Sequence, residues 1–271
     1  MTRAPQLIDK EFVKGELIYS HNSAYHQIEI SQQENIRLLH TDHQTIQSAL
    51  NLDHPEQIPL PYMHAMMGGL LFQSPPKSCL LLGVGGGDLI RYLHHHIPAC
   101  QITAVEHDPQ MVYISREYFQ CPTADNIDIR ISDAEIFIEE KETSSAELLL
   151  IDLYGDKLPP LLDTPEFYSE CHRVLSKTGI LAMNLLTNDE REFKSILWQI
   201  RRRFKQQTLC LTVPLYNNIV VLAFKKRPHE LNQAALSNRA TSISSEFGIN
   251  FSRLVENLFA TNPLNGGELY F

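Results

Sequence analysis

The segment Gly83-Val84-Gly85-Gly86-Gly87-Asp88 constrains this chain more than any other stretch. It follows an apolar run, Cys79-Leu80-Leu81-Leu82, and opens a stretch of helical spacing near residues 88–96. Glycines accept positive φ and leave the backbone bare, so a ligand can approach the free amides at a helix N-terminus. Strand, glycine turn and helix in that order predict the first unit of a parallel α/β sheet with a ligand at its edge.

The rest of the chain repeats this rhythm. Apolar runs at 102–105, 127–131, 146–151 and 180–184 alternate with helical stretches near 109–119, 133–141 and 165–175. Such alternation predicts a mainly parallel sheet with helices on both faces. Runs at 208–213 and 218–224 flank a short turn at Pro214, so they predict an antiparallel pair at one edge. Together these features predict the Rossmann-like sheet of adenosylmethionine-dependent transferases. Upstream, segments at 15–19, 25–30 and 36–40 are short and mixed, and they predict a small antiparallel sheet within residues 11–60. A helix is expected at 62–72, ended by Pro75-Pro76. The expected organisation is a β-domain over 1–60, a Rossmann-like catalytic domain over 61–228 and a helical extension over 229–271, with one helix at 244–259.

With 271 residues the chain buries a sufficient core without covalent staples. Its five cysteines form no CxxC pair and are odd in number, which argues against a zinc site or a secreted disulfide framework. A cytoplasmic location is expected, with no signal peptide and no membrane span. The net charge of -9 offers no field for nucleic acid, and Arg201-Arg202-Arg203 and Lys225-Lys226-Arg227 read as solvated element ends. Consecutive helical residues point about 100° apart, so His94-His95-His96 cannot converge on a metal ion. Trp198, Ile200 and Phe204 follow helical spacing and are read as core or dimer packing.

Carboxylates recur at strand ends. Glu106 closes the second strand, where a dinucleotide fold carries its ribose-binding acid; the alternative is a surface carboxylate before a helix. Asp108 reads as the cap of that helix, with Pro109 in the first turn. At the third strand end, Asp133 can accept from an adenine amino group while the Ala134 amide faces a ring nitrogen. Asp also suits an N-cap there.

Taken with Gln27 (after His26), Gly85-Gly86-Gly87-Asp88, Val105-Glu106-His107-Asp108 and Asp133-Ala134-Glu135, the chain resembles the spermidine synthase family over residues 15–228. The resemblance implies transfer of an aminopropyl group from decarboxylated adenosylmethionine to a small-molecule amine by a homodimer without metal. It also implies a cofactor site formed by Gln27, Gly83, Gly85, Gly87, Asp88, Glu106, Asp133 and Ala134. A carboxylate at Asp88 would attract the ammonium of the decarboxylated cofactor and repel the carboxylate of adenosylmethionine; its alternative role is a helix cap.

On the acceptor side the resemblance assigns the catalytic base to Asp152 and acceptor contacts to Tyr62, His64 and Tyr216. The family's second acid falls at Gly155, with Asp156 displaced by one, and the glutamate of its Tyr-His-Glu motif is His64. Both departures point away from a dication such as putrescine. Two other functions are compatible with the fold: a methyltransferase, and a nucleoside-binding protein without transfer activity.

Overall fold

The computed structural model describes residues 15–41, 45–153, 159–186, 189–214 and 216–271. The N-terminal sheet contains β1 (Glu16–Asn22), β2 (Gln27–Gln33), β3 (Ile36–Thr41) and β4 (Thr45–Asn51), antiparallel in chain order. The expected sheet is therefore present, with β4 as a strand that the apolar pattern does not announce. Ile28, Ile30, Leu39 and Leu50 pack on Met111, Ile114 and Phe119, while Ile36, Leu38 and Ala49 join the main core. Burial of both faces ties this sheet firmly to the α/β part of the chain.

The predicted helix at 62–72 is α1 (Pro61–Met66) continued by a 3-10 turn, Met67–Leu71. Then come β5 (Ser78–Leu82), α2 (Asp88–His96), β6 (Gln101–Glu106), α3 (Pro109–Glu117), β7 (Ile127–Ile131), α4 (Ala134–Glu140) and β8 (Ala146–Ile151). After them stand α5 (Pro165–Val174), β9 (Leu175–Leu186), α6 (Glu190–Arg203), β10 (Thr208–Thr212) and β11 (Asn218–Phe224). The large sheet has the order β10-β11-β9-β8-β5-β6-β7. Strands β5 to β9 pair in parallel, and β11 and β10 close one edge antiparallel, as the runs predicted.

Strand β9 begins earlier than its apolar run because Leu175 already pairs with Ala146, across a register shift. One face of the sheet packs on Ile138, Phe167, Ile196 and Ile200, the other on Leu89, Leu93, Leu236 and Val255. Trp198 is 57% exposed under Arg202, whereas Ile200 and Phe204 are fully buried. Two residues apart on a helix means about 200° of rotation, so Trp198 and Ile200 cannot share a face.

The tail differs from expectation. Instead of one helix at 244–259 there are two, α7 (Gln233–Phe247) and α8 (Phe251–Thr261), followed by a small hairpin of β12 (Leu264–Asn265) and β13 (Glu268–Leu269). Gly248 at φ 62 ends α7, and the Asn250 side chain caps α8 by accepting from the Arg253 amide. Leu236, Phe247 and Val255 from this tail share one core cluster with Leu38 and Leu81. Packing thus runs across the boundaries expected at residues 60 and 228.

Candidate active site

A cavity of about 360 Å³ opens at the C-terminal ends of β5, β6 and β8, beside the start of α4. Ligands in open α/β sheets sit at this edge because the strand ends and helix N-termini converge there. The N-terminal sheet covers it from above through Thr41, Gln47 and Ser48.

The glycine loop forms its floor. Gly83, Gly85 and Gly87 have φ of 90°, 54° and 77°, the left-handed region that side chains disfavour. The Ser48 hydroxyl accepts from the Gly86 amide at 2.7 Å, and a Cβ on Gly86 would lie 2.6 Å from the Ser48 Cβ. Gly83 and Gly85 line the cavity, while Gly87 packs on Cys121 as the N-cap of α2.

Glu106 lies at the cavity wall. Its Oε2 accepts from the Val84 amide at 3.0 Å, and Oε1 from the Asp108 amide at 3.1 Å. His107 Nδ1 stands 3.1 Å from the same Oε1. Burial alone would raise the Glu106 carboxyl, yet the His107 contact and the two amides together hold it below its ordinary range. The bond to Glu106 in turn raises His107. The His107 ring meets Tyr25 edge-on at 4.3 Å, so Tyr25, His26 and His107 gather beside Glu106.

Asp133 and Ala134 line the cavity. Asp133 Oδ1 accepts from the Glu135 amide at 2.7 Å and caps α4, so the capping role is present within the cleft itself. Asp108 likewise caps α3, accepting from the Gln110 amide.

Asp88 is buried behind the loop and is not among the residues lining the cavity. It makes no capping bond. Its Oδ1 accepts from Arg91 Nη2 at 2.9 Å, and Oδ2 is buried with no partner among the described residues. Arg91 also donates to the carbonyls of Pro55, Gly86 and Phe119, so its charge is held in place beside Asp88.

Asp152 lines the cavity at the end of β8. Its Oδ2 accepts from the Tyr62 hydroxyl at 3.1 Å and its Oδ1 from Asn184 Nδ2 at 2.9 Å. Burial pushes this carboxyl up to about 6 against the lowering effect of those two bonds, and the nearby Asp88 charge adds to the rise.

Other expected residues stand off the cavity. His64 is buried behind the wall, where its Nε2–H donates to the Ile58 carbonyl at 2.7 Å and burial pushes the ring down to about 4. The Nε2 edge of the ring is thus turned to the backbone, and Met63, its neighbour, lines the cavity. Tyr216 closes the turn before β11 through its amide bond to the Val213 carbonyl and packs on the core. Gln27 begins β2, and His26 beside it occupies the cavity wall. Gly155 and Asp156 lie outside the described residues.

Sequence patterns passed over Thr41, Gln47, Ser48 and Asn184. Thr41 Oγ1 and Gln47 Nε2 are buried in the cavity wall without a hydrogen-bond partner among the described residues. Such orphaned groups suit a polar ligand. With the bare glycine cradle, the Glu106 carboxylate and the Asp133 strand end, the donors and acceptors fit a nucleoside of the adenosylmethionine type.

The chain is 32% identical to a polyamine aminopropyltransferase of Chromobacterium violaceum, over 90% of this chain and 93% of that protein. The chain belongs to the polyamine aminopropyltransferase family. It is therefore a transferase. Another family member, from Neisseria meningitidis, is also 32% identical, over 92% of this chain and 95% of its own length. Residues 80–183 match the methyltransferase domain family, the stretch that carries the glycine loop, Glu106, Asp133 and Asp152. The fold is similar to that of a probable spermidine synthase from Corynebacterium glutamicum, with a TM-score of 0.72 at 23% identity, covering 84% of this chain and 86% of that one. No helix among the described residues is long and apolar enough to cross a membrane.

Proposed function

We propose that this family member transfers an aminopropyl group from decarboxylated adenosylmethionine to a small amine. One observation carries the reading: a carboxylate, Asp152, stands in the cavity wall with the proton affinity of a general base working near neutral pH. A free amine with a solution pKa near that of lysine, about 10.4, is protonated at pH 7 and must lose a proton before it attacks carbon.

Glu106 would take the ribose hydroxyls, with the Gly83 and Gly85 backbone passing beneath. Asp133 and the Ala134 amide would meet the base, and Asp88, buried behind the loop, would act on the amino end through its field alone. When bound, the cofactor supplies a carbon activated by its sulfonium. Asp152 would take a proton from the ammonium at a carboxylate oxygen, and the freed lone pair would then form the C–N bond as the C–S bond breaks and its electrons return to sulfur. Tyr62 would hold that carboxylate and Met63 would border the acceptor, with His64 and Tyr216 supporting this wall from behind. Positioning and exclusion of water would supply most of the rate. The reading includes a cytoplasmic homodimer organised as segments 1–60, 61–228 and 229–271. Five free cysteines are consistent with a reducing compartment.

A second reading, methyl transfer, has its own support. Arg91 offsets the Asp88 charge at 2.9 Å, which weakens the repulsion that would turn away a cofactor carboxylate. Calorimetry with adenosylmethionine and its decarboxylated form separates the two. A tenfold preference for the decarboxylated form, about 1.4 kcal/mol, is expected; the reverse preference makes the chain a methyltransferase. Binding of neither form would leave a protein without this transfer chemistry.

A further inference from the structure

We propose that Asn184 and Asn218 act as a positioning pair that holds the Asp152 carboxylate in its reacting orientation, an assignment that rests on Asp152 receiving the amine proton. The residues stand at one end of neighbouring strands: Asn218 opens β11, Asn184 lies near the end of β9, and Asp152 follows β8. Asn218 Nδ2 donates to Asn184 Oδ1 at 2.9 Å, and Asn184 Nδ2 donates to Asp152 Oδ1 at 2.9 Å.

The direction of this chain of bonds follows from the chemistry of its ends. A carboxylate only accepts, so the amide nitrogen of Asn184 must face Asp152. That turns the Asn184 oxygen toward Asn218, which supplies the matching N–H. A flipped Asn184 amide would set oxygen against carboxylate at one end and N–H against N–H at the other. Asn218 is 6% exposed, so water offers it little competition for that role.

The other oxygen of Asp152 is taken by the Tyr62 hydroxyl at 3.1 Å. One protein donor on each oxygen fixes the plane of the carboxylate and leaves each oxygen a second lone pair for the proton of the acceptor. Neither Asn184 nor Asn218 lines the cavity, so both act through Asp152. The strands do not depend on them for pairing, because β11 and β9 stay in register from Asn218 opposite Leu186 to Phe224 opposite Ile180. The amide pair adds direction at the site rather than cohesion to the sheet.

Removing the donor from Asp152 Oδ1 raises the proton affinity of the carboxyl and frees it to rotate. Asn184→Ala is expected to move the Asp152 titration up by about one pH unit, read by carbon-13 NMR of labelled aspartates with Asp152→Asn as the assignment control. Asn218→Ala leaves Asn184 in place but free to turn, so it is expected to shift the titration the same way by less. In turnover with decarboxylated adenosylmethionine and putrescine, cadaverine or spermidine, the acid limb of kcat/KM should move with the titration. Nucleoside affinity should stay within about twofold, since neither residue reaches the cavity. An Asp152 titration that stays put in both variants overturns the positioning pair, whatever happens to thermal stability. Full activity of Asp152→Asn instead removes Asp152 as the base and with it the pair, whereas absence of turnover by the wild-type protein removes the function proposed above. An inactive Asp152→Asn beside unshifted asparagine variants leaves that function standing and removes only the pair. Should Asn184→Ala fail to fold, the milder Asn218→Ala carries the test alone.

Discussion

Gly83 and Asp152 approach so closely that a Cβ on the glycine would lie 2.2 Å from the Asp152 carbonyl oxygen, and Gly83 holds φ at 90°. The glycine loop and the strand end that carries Asp152 are therefore set against each other. Gly83→Ala is expected to cost about 1–3 kcal/mol in backbone strain alone, and more where the chain after β8 is pushed aside. Thermal unfolding should fall and nucleoside affinity should drop at least tenfold. A variant with wild-type affinity would show that this contact does not shape the site.

The raised Asp152 carboxyl predicts a pH profile. In the proposed role Asp152 works only when ionised, so kcat/KM should fall below about pH 6 and level off above it, until another group titrates. The stability effect has the opposite sense. A folded value near 6 lies above the ordinary value of 3.8, so the folded state binds the proton more tightly. This contribution is fully present below the unfolded value and is lost as pH rises through about 6. Denaturant unfolding of Asp152→Asn across pH 4–7 should lack that component.

Glu106 uses both oxygens on backbone amides, Val84 at 3.0 Å and Asp108 at 3.1 Å. A glutamine presents one acceptor and one donor, so one amide would face an N–H. Glu106→Gln should weaken nucleoside binding by about 10–100-fold, the range for losing a hydrogen bond to a charged group. It should also let the His107 titration fall toward its ordinary value, because Glu106 is what raises it. Proton NMR of the imidazole reads that change without turnover.

Asp88 and Arg91 are 1% and 5% exposed and form an ion pair at 2.9 Å. Removing one member of a buried pair leaves the other charge uncompensated, at about 3–5 kcal/mol. Asp88→Asn should therefore destabilise the fold by that order, measured by denaturant titration. It should also reduce any preference for the decarboxylated cofactor toward equality. Retention of a tenfold preference would move the selection elsewhere in the cavity.

Much of the frame was legible along the chain. The runs at 146–151 and 218–224 coincide with β8 and β11, because buried strands show as apolar runs between turn residues, and the half-exposed edge strand β7 shows as alternation at 127–131. Strand β4 is not announced because Ser48 and Asn51 are buried polar residues, satisfied by Gly86 far along the chain and by Asn35 in the turn between β2 and β3. The helix expected at 244–259 runs through Gly248, whose positive φ separates α7 from α8. A helical period persisting on both sides of a glycine does not show the turn between.

The site divides in the same way. Glu106 and Asp133 could be named from sequence because each stands just past an apolar run, and a parallel sheet brings such ends to one edge; Asp152 stands at the same edge but is named through the family resemblance. The choice between Gln27 and His26 at the cavity wall could not be read from adjacent residues at a strand start, since neighbours point to opposite sides.

The order of strands and helices, the glycine turn and the line of acids at the strand ends were determined by the sequence itself, because these depend on local spacing and on the handed connections of parallel strands. The caps made by Asp108 and Asp133 are local, but only the tertiary structure decided what Asp152 and the glycine loop bond to. Tyr62 reaches Asp152 across 90 positions, Asn184 across 32, and Ser48 reaches Gly86 across 38. Hydrogen bonds act over about 3 Å and in fixed directions, so proton affinity and orientation at the site are set by neighbours in space that no local pattern announces.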